Sequence, residues 1–168
     1  MAAFSNCEEV ELFLNGKSQG RKKPADFKNN ITEWELTYQE GTIELKGFNI
    51  GKVVSKDELT TVGNPFAIQL KTKTGVLEGN GLDLAYVQVD VVDEKGRKVY
   101  NAINEITFEV SGSGELVGLS SGDILSHENM KDSKRKVYNG SCQAVLKSGR
   151  EKGTIIRKAK AAVLKEAL

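Results

Sequence analysis

The stretch EEVELFLNGKSQG, residues 8–20, decides the fold. Val10, Leu12 and Leu14 alternate with Glu9, Glu11 and Phe13, the period-two pattern of a strand with one buried face. Asn15-Gly16 then accepts the two positive φ angles of a type I′ turn, whose twist matches that of the flanking strands. KSQGRK, residues 17–22, is the expected return strand, and KPADFKNN a loop.

The same grammar continues outward. In ITEWELTY, residues 31–38, Thr32, Trp34, Leu36 and Tyr38 share one face, which predicts a half-buried strand. QEGT turns the chain, TIELKGF places Ile43, Leu45 and Gly47 inward, Asn49-Ile50-Gly51 turns it again, and KVVSKDEL completes the set. Five or six short strands in this space predict a small antiparallel sandwich. TVGNP, residues 61–65, is the expected boundary, because proline cannot donate to a strand ladder. Beyond it lie further strands: Phe66, Ile68 and Leu70; Ala85, Val87, Val89 and Val91; Ile106, Phe108 and Val110; then KVYNGSCQAVL and GTIIRKAKA. The expectation is an all-β chain of two tandem immunoglobulin-like antiparallel β-sandwiches, residues 1–62 and 63–168. The ending AAVLKEAL reads as either a helical turn or a truncated last strand.

Composition agrees with this class. The chain has 168 residues, 39% hydrophobic and 28% charged, with 17 glycines to serve turns and two prolines. It contains no apolar run of about 18 residues, so no membrane helix is expected. Its first residues, MAAFSNCEEV, do not read as a secretory signal. From Lys131 onward there are eleven Lys/Arg against three Asp/Glu, a net +8, and the rest carries 13 against 20, a net −7. These basic residues alternate with strand residues and are read as a solvated sheet face, so no nucleic-acid partner is expected. Cys7 and Cys142 are too few for a disulfide framework and are expected to be buried free thiols.

Chemistry is sparse. A glycosidase needs two carboxylates facing across a cleft, yet Glu8, Glu9, Glu11, Glu33, Glu35 and Glu40 fall on outward or turn positions. His127 is the single histidine, so no zinc site and no cofactor are expected. It lies near Ser121, Asp123, Ser126 and Glu128, but a relay requires placement in space rather than proximity in sequence. GNG at 79–81, SGSG at 111–114 and GKS at 16–18 lack the strand–loop–helix context of phosphate loops. VDVVDEKG offers Asp90, Asp93 and Glu94 without calcium-loop spacing and reads as a turn. Trp34, with Tyr38 and Phe27 nearby, could stack on sugars, but its face is shared with Leu36 and core packing is expected. Ser120–Lys134 is a long irregular polar segment, and loops of that length are commonly functional.

Ser5–Phe27 and Ile31–Val54 resemble the domain that follows the catalytic barrel in bacterial β-galactosidases of glycoside hydrolase family 2. DLAYVQVDVVDEKGRKV, TFEVSGSGELVGLSSGD and SHENMKDSKRKVYNGSCQAVL resemble the immunoglobulin-like C-terminal domain of the same enzymes. The resemblance implies a multidomain parent that removes terminal β-galactosyl or related residues, with its two catalytic glutamates on an upstream barrel. No catalytic residue transfers to any position here. The chain is then expected to be a non-catalytic C-terminal accessory region, beginning partway into a first strand and stopping before a closing one. Its expected partner is the catalytic barrel of the parent, which it braces or whose substrate entrance it shapes; an oligosaccharide is a further candidate. The family implies a periplasmic or secreted location. The loop around His127 and Arg135 is the expected inter-domain contact. A carbohydrate-binding module and a surface adhesion or spacer module are the rival readings, since this fold serves many functions. Arg157 departs from the resemblance: alternation with Ile155, Ala159 and Ala161 turns it inward, so either the register shifts or an open sheet edge lets it reach water.

Overall fold

A computed structural model describes residues 1–167. The chain divides into two units, Met1–Thr61 and Val62–Leu168.

The first unit holds six strands: β1 (Ala2–Phe4), β2 (Glu9–Leu14), β3 (Lys17–Lys22), β4 (Ile31–Glu33), β5 (Thr42–Asn49) and β6 (Lys52–Thr60). An antiparallel sheet of order β3-β2-β5-β6 and a β1-β4 pair form its layers. Val10, Leu12, Ala3 and Trp34 are the buried centre, with Leu36, Ile43 and Leu45 packed around them. The opening hairpin closes as its sequence requires, with Asn15 and Gly16 at φ 50° and 78°. Trp34 belongs to the core, and its indole Nε1 donates to the Gly20 carbonyl at 3.3 Å.

The outer face of the larger sheet is a lattice of charges. Arg21 pairs with Glu9 and Glu11, and Lys46 and Lys56 both reach Glu44. Arg21 covers the Phe48 ring and Lys46 the Phe13 ring, which shields two aromatics that alternation leaves outside. The hydrogen bond from Ser18 and the Arg21 guanidinium hold the Glu11 carboxyl below its ordinary range.

ITEWELTY departs from the expected strand after Glu33. β4 pairs with β1 from Phe4↔Ile31 to Ala2↔Glu33, and Met1 and Trp34 exchange backbone hydrogen bonds at 2.8 Å. Pairing runs out there, so the inward alternation persists through Leu36 while Tyr38 is exposed. Lys52–Thr60 is an edge strand with little burial on either face, including Val53, Val54 and Leu59.

The second unit contains β7 (Ala67–Thr72), β8 (Leu84–Val92), β9 (Glu105–Gly112), β10 (Gly114–Ser120), β11 (Lys134–Lys136), β12 (Ser141–Ser148) and β13 (Ile155–Lys160). They form antiparallel sheets of order β10-β12-β8-β7 and β11-β9-β13, the four-plus-three layering of an immunoglobulin-like sandwich. Val87, Val89 and Val91 of β8, Ile106 and Phe108 of β9, and Cys142, Ala144 and Leu146 of β12 fill the space between them. Burial pushes the Cys142 thiol up to about 12, so this cysteine is a core residue rather than a nucleophile. Cys7 differs from expectation: it is only half-buried, with its Sγ 3.5 Å from the Ser55 hydroxyl.

The basic tail of the sequence is met by acids on neighbouring segments. Lys147 pairs with Glu115, Lys158 with Glu166, and Lys160 with Glu109. The terminal segment is not helical. Lys165 bridges to Ala67 and Ala167 to Ala159, and Leu164 is buried; Leu168 lies outside the described residues. β13 keeps continuous register with β9, from Ile155↔Gly112 to Lys160↔Thr107. Arg157 therefore retains its inward position at an open edge, half-buried.

Candidate functional site

The loop joining β10 to β11, residues 121–133, is built around one buried cation. In the run Lys134-Arg135-Lys136-Val137, Arg135 shares a face with Val137, and both are buried while the two lysines are exposed. A guanidinium in the interior must be paired and hydrogen-bonded to be tolerated. Arg135 meets that demand with the loop itself. Its Nη1 reaches the Glu128 carboxylate at 3.3 Å, and its Nη2 donates to the carbonyls of Leu119 and Asn129 at 3.1 and 2.9 Å. Its Nε is buried and has no partner among the described residues.

Glu128 is the complementary anchor. Burial pushes its carboxyl up, but the Lys136 N–H, the Ser126 hydroxyl and Arg135 outweigh that and leave it lowered. Further bonds tie the segment to the sheets: Leu119 N–H to the Met130 carbonyl at 2.7 Å, and Phe108 N–H to the Ser133 carbonyl at 2.8 Å. The loop is thus tied to both sheets, and three of its exposed side chains are large and apolar. Ile124 is 95% exposed, with Leu125 and Met130 also largely in water.

His127 and Arg135 therefore face different environments. His127 is exposed on the loop, whereas Arg135 is turned into its own unit, with its terminal nitrogens bonded to Glu128, Asn129 and Leu119. Ser126 donates to Glu128 at 2.9 Å rather than entering a relay with His127. Among the described residues, no group of three His, Cys, Asp or Glu side chains is placed to hold a metal ion. Glu115 and Glu151 border one depression, but both are exposed and Glu115 is paired with Lys147.

Asp90 and Asp93, which the sequence offered only as residues of a turn without calcium-loop spacing, are both buried. Asp93 accepts the N–H groups of Gly63, Lys95 and Arg97 and pairs with the Arg97 guanidinium at 2.7 Å. Asp90 accepts from Ser141, Gln88 and Lys71. The turn Asp93-Glu94-Lys95-Gly96 carried the first, because an aspartate opening a turn caps its own backbone. The strand pattern held no comparable trace of the second.

Comparison with known proteins supplies the remaining context. Residues 68–168 match the family model described as glycoside hydrolase family 2 C-terminal domain 5. The chain belongs to glycoside hydrolase family 2. Residues 1–55 of this family 2 chain match a second family, described as a domain of unknown function (DUF4982). A β-galactosidase of Bacteroides ovatus, BoGH2A, is 38% identical over 150 residues, covering 89% of this chain and 18% of that protein. A β-galactosidase of Thermoanaerobacter pseudethanolicus is 30% identical, covering 95% of this chain and 22% of that protein. A crystal structure of a family 2 member from Bacteroides cellulosilyticus superposes with a TM-score of 0.94 at 34% identity, covering 99% of this chain and 23% of its own. A Bacteroides vulgatus β-glycosidase gives 0.86 at 27% identity, covering 96% and 21%. The chain spans about a fifth of the length of these relatives.

Proposed function

We propose that this chain is the non-catalytic accessory region of a β-galactosidase-type glycoside hydrolase, bracing the catalytic barrel or shaping its substrate entrance. The carrying observation is the β10–β11 loop. The buried Arg135, paired with the half-buried Glu128, holds its shape, and Ile124, Leu125 and Met130 are presented to solvent. Exposed large apolar side chains on a hydrogen-bonded loop are what a protein surface would cover. About four-fifths of the length of the matched relatives lies outside the matched region, which is consistent with the occupant proposed here, the catalytic barrel that the family resemblance implies. His127 lies on the exposed side of this surface, and Arg135 acts from beneath as its anchor. The enzyme so assembled would act on terminal β-galactosyl or related residues, in a periplasmic or secreted setting.

The test separates the contact surface from its support. Ile124→Ser, Leu125→Ser and Met130→Ser together leave Arg135 and Glu128 in place. In the full enzyme they should lower the thermal midpoint, while the 168-residue chain alone is not destabilised. An unchanged midpoint and unchanged kcat/KM in the full enzyme would remove the proposal.

A further inference from the structure

The second unit carries an unassigned cavity of about 530 Å³ at one open end of its sandwich. Its floor is apolar, formed by Ala85, Val87 and Leu146. The hydroxyl-bearing residues Thr74, Ser113 and Thr154 are part of its lining. Arg157 lines it, and the buried Nε of this arginine has no hydrogen-bond partner among the described residues. Glu151 and Lys152 at the exposed rim offset each other, so Arg157 sets the sign of the cavity.

An inward guanidinium with no salt-bridge partner among the described residues is costly for a fold and useful to an anion. Methionine at this position would spare that cost, as buried ion-pairing residues are often replaced by apolar ones without loss of stability. The volume falls in the range of small-ligand sites, about 300–1,000 Å³. An apolar floor, hydroxyl-bearing lining residues and one fork-shaped cation describe a particular partner: a pyranose whose C–H face packs down, whose hydroxyls meet Thr and Ser, and whose carboxylate takes the guanidinium. We propose that this cavity binds the uronate residue of an acidic sugar, with Arg157 as its carboxylate partner. A neutral sugar would leave the arginine charge uncompensated, and a phosphate dianion would meet only one uncompensated cation. The site does not depend on the β10–β11 loop, so its failure would leave the bracing proposal untouched.

Gly75 provides a clean block. It lines the cavity, a Cβ there would meet nothing within 4 Å, and its φ lies outside the left-handed region. Titration of the isotopically labelled chain by NMR with sodium D-glucuronate, sodium D-galacturonate, D-glucose, D-galactose and N-acetyl-glutamate amide tests the proposal. One or both uronates should give saturable shifts at Gly75, Gly153 and Thr154. The matching neutral sugar should bind about tenfold more weakly or worse, the cost of one lost charge-assisted hydrogen bond. Arg157→Met and Gly75→Phe should each abolish the shifts, and Arg157→Met should melt no lower than the parent without sugar. Equal binding of neutral and acidic sugars, uronate binding that survives both variants, absence of any saturable shift, or tighter binding of the acetylated glutamate would each overturn it, the last by making the site a peptide dock.

Discussion

Three two-residue hairpins in this chain share one backbone geometry. Asn15-Gly16, Ile50-Gly51 and Asn139-Gly140 all place both residues at positive φ, at 50° and 78°, 49° and 71°, and 49° and 70°. Two use asparagine, which tolerates that region, whereas the third uses a β-branched residue, for which it is strained. Ile50 is 87% exposed, so its side chain returns little packing for that strain. Its N–H donates to Glu8 at 2.6 Å, a bond any residue would keep. Ile50→Asn is therefore expected to stabilise the first unit by about 1 kcal/mol, the scale of left-handed strain in a non-glycine residue. The shift in denaturation midpoint measures it, and a loss of stability would mean that Ile50 packs on something. Asp93 makes the complementary case. The Gly63 N–H, followed by the Arg97 side chain and the backbone N–H groups of Arg97 and Lys95, keeps its carboxyl far below the ordinary aspartate range despite desolvation. A depressed folded value means that the stabilisation is complete above the unfolded value of about 3.9 and is lost as pH falls toward the folded one. In Asp93→Asn the second unit should be less stable at pH 7, and its thermal midpoint should fall less steeply with acid below about pH 4. Parallel curves for the two proteins would show that Asp93 carries none of the acid sensitivity.

At the scale of elements, legibility followed the pairing of strands. Period-two runs bounded by Asn-Gly, as in β2 and β12, identify themselves because burial and turn chemistry agree. ITEWELTY kept its alternation but lost its ladder, since a partner strand leaves no mark in the segment it pairs with. Lys52–Thr60 shows the reverse: good strand residues paired by β5 on one side and covered on neither face. The loop site was half legible. Its length marked it, and alternation with Val137 could have placed Arg135 inside, but the Glu128 partner lies seven residues away through a path no period describes. This arrangement predicts the behaviour of the loop. Arg135→Ala strands the Leu119 and Asn129 carbonyls and removes the counter-charge of Glu128, which still sees some water. A cost of about 2 kcal/mol is expected, below that of breaking a fully buried pair. Protease cleavage within 121–133 should accelerate by more than that global loss explains. Cleavage that merely tracks global unfolding would show that Arg135 supports the core rather than the loop.

At the scale of the molecule, the two units differ in what they bury. The first, Met1–Thr61, centres on four buried residues, and the second, Val62–Leu168, on sixteen. A domain of about 60 residues hides only about 60% of the surface its unfolded chain exposes, so small cores are marginal. The first unit compounds this by leaving Phe4, Tyr38, Val53, Val54 and Leu59 exposed, and among its described residues it has no disulfide and no metal-ligating group of side chains to offset the deficit. The second has a continuous interior from Ile68 to Leu164, with its terminal segment bridged to Ala67 and Ala159. Expressed separately, residues 62–168 should unfold cooperatively in denaturant, with sharp, dispersed NMR spectra beforehand. Residues 1–61 should show a low midpoint and a shallow transition, or no cooperative transition at all. A first unit that melts alone as sharply as the second would mean that the charge lattice on its outer sheet contributes far more than exposed ion pairs usually do, about 0–1 kcal/mol each, and the argument from core size would fail.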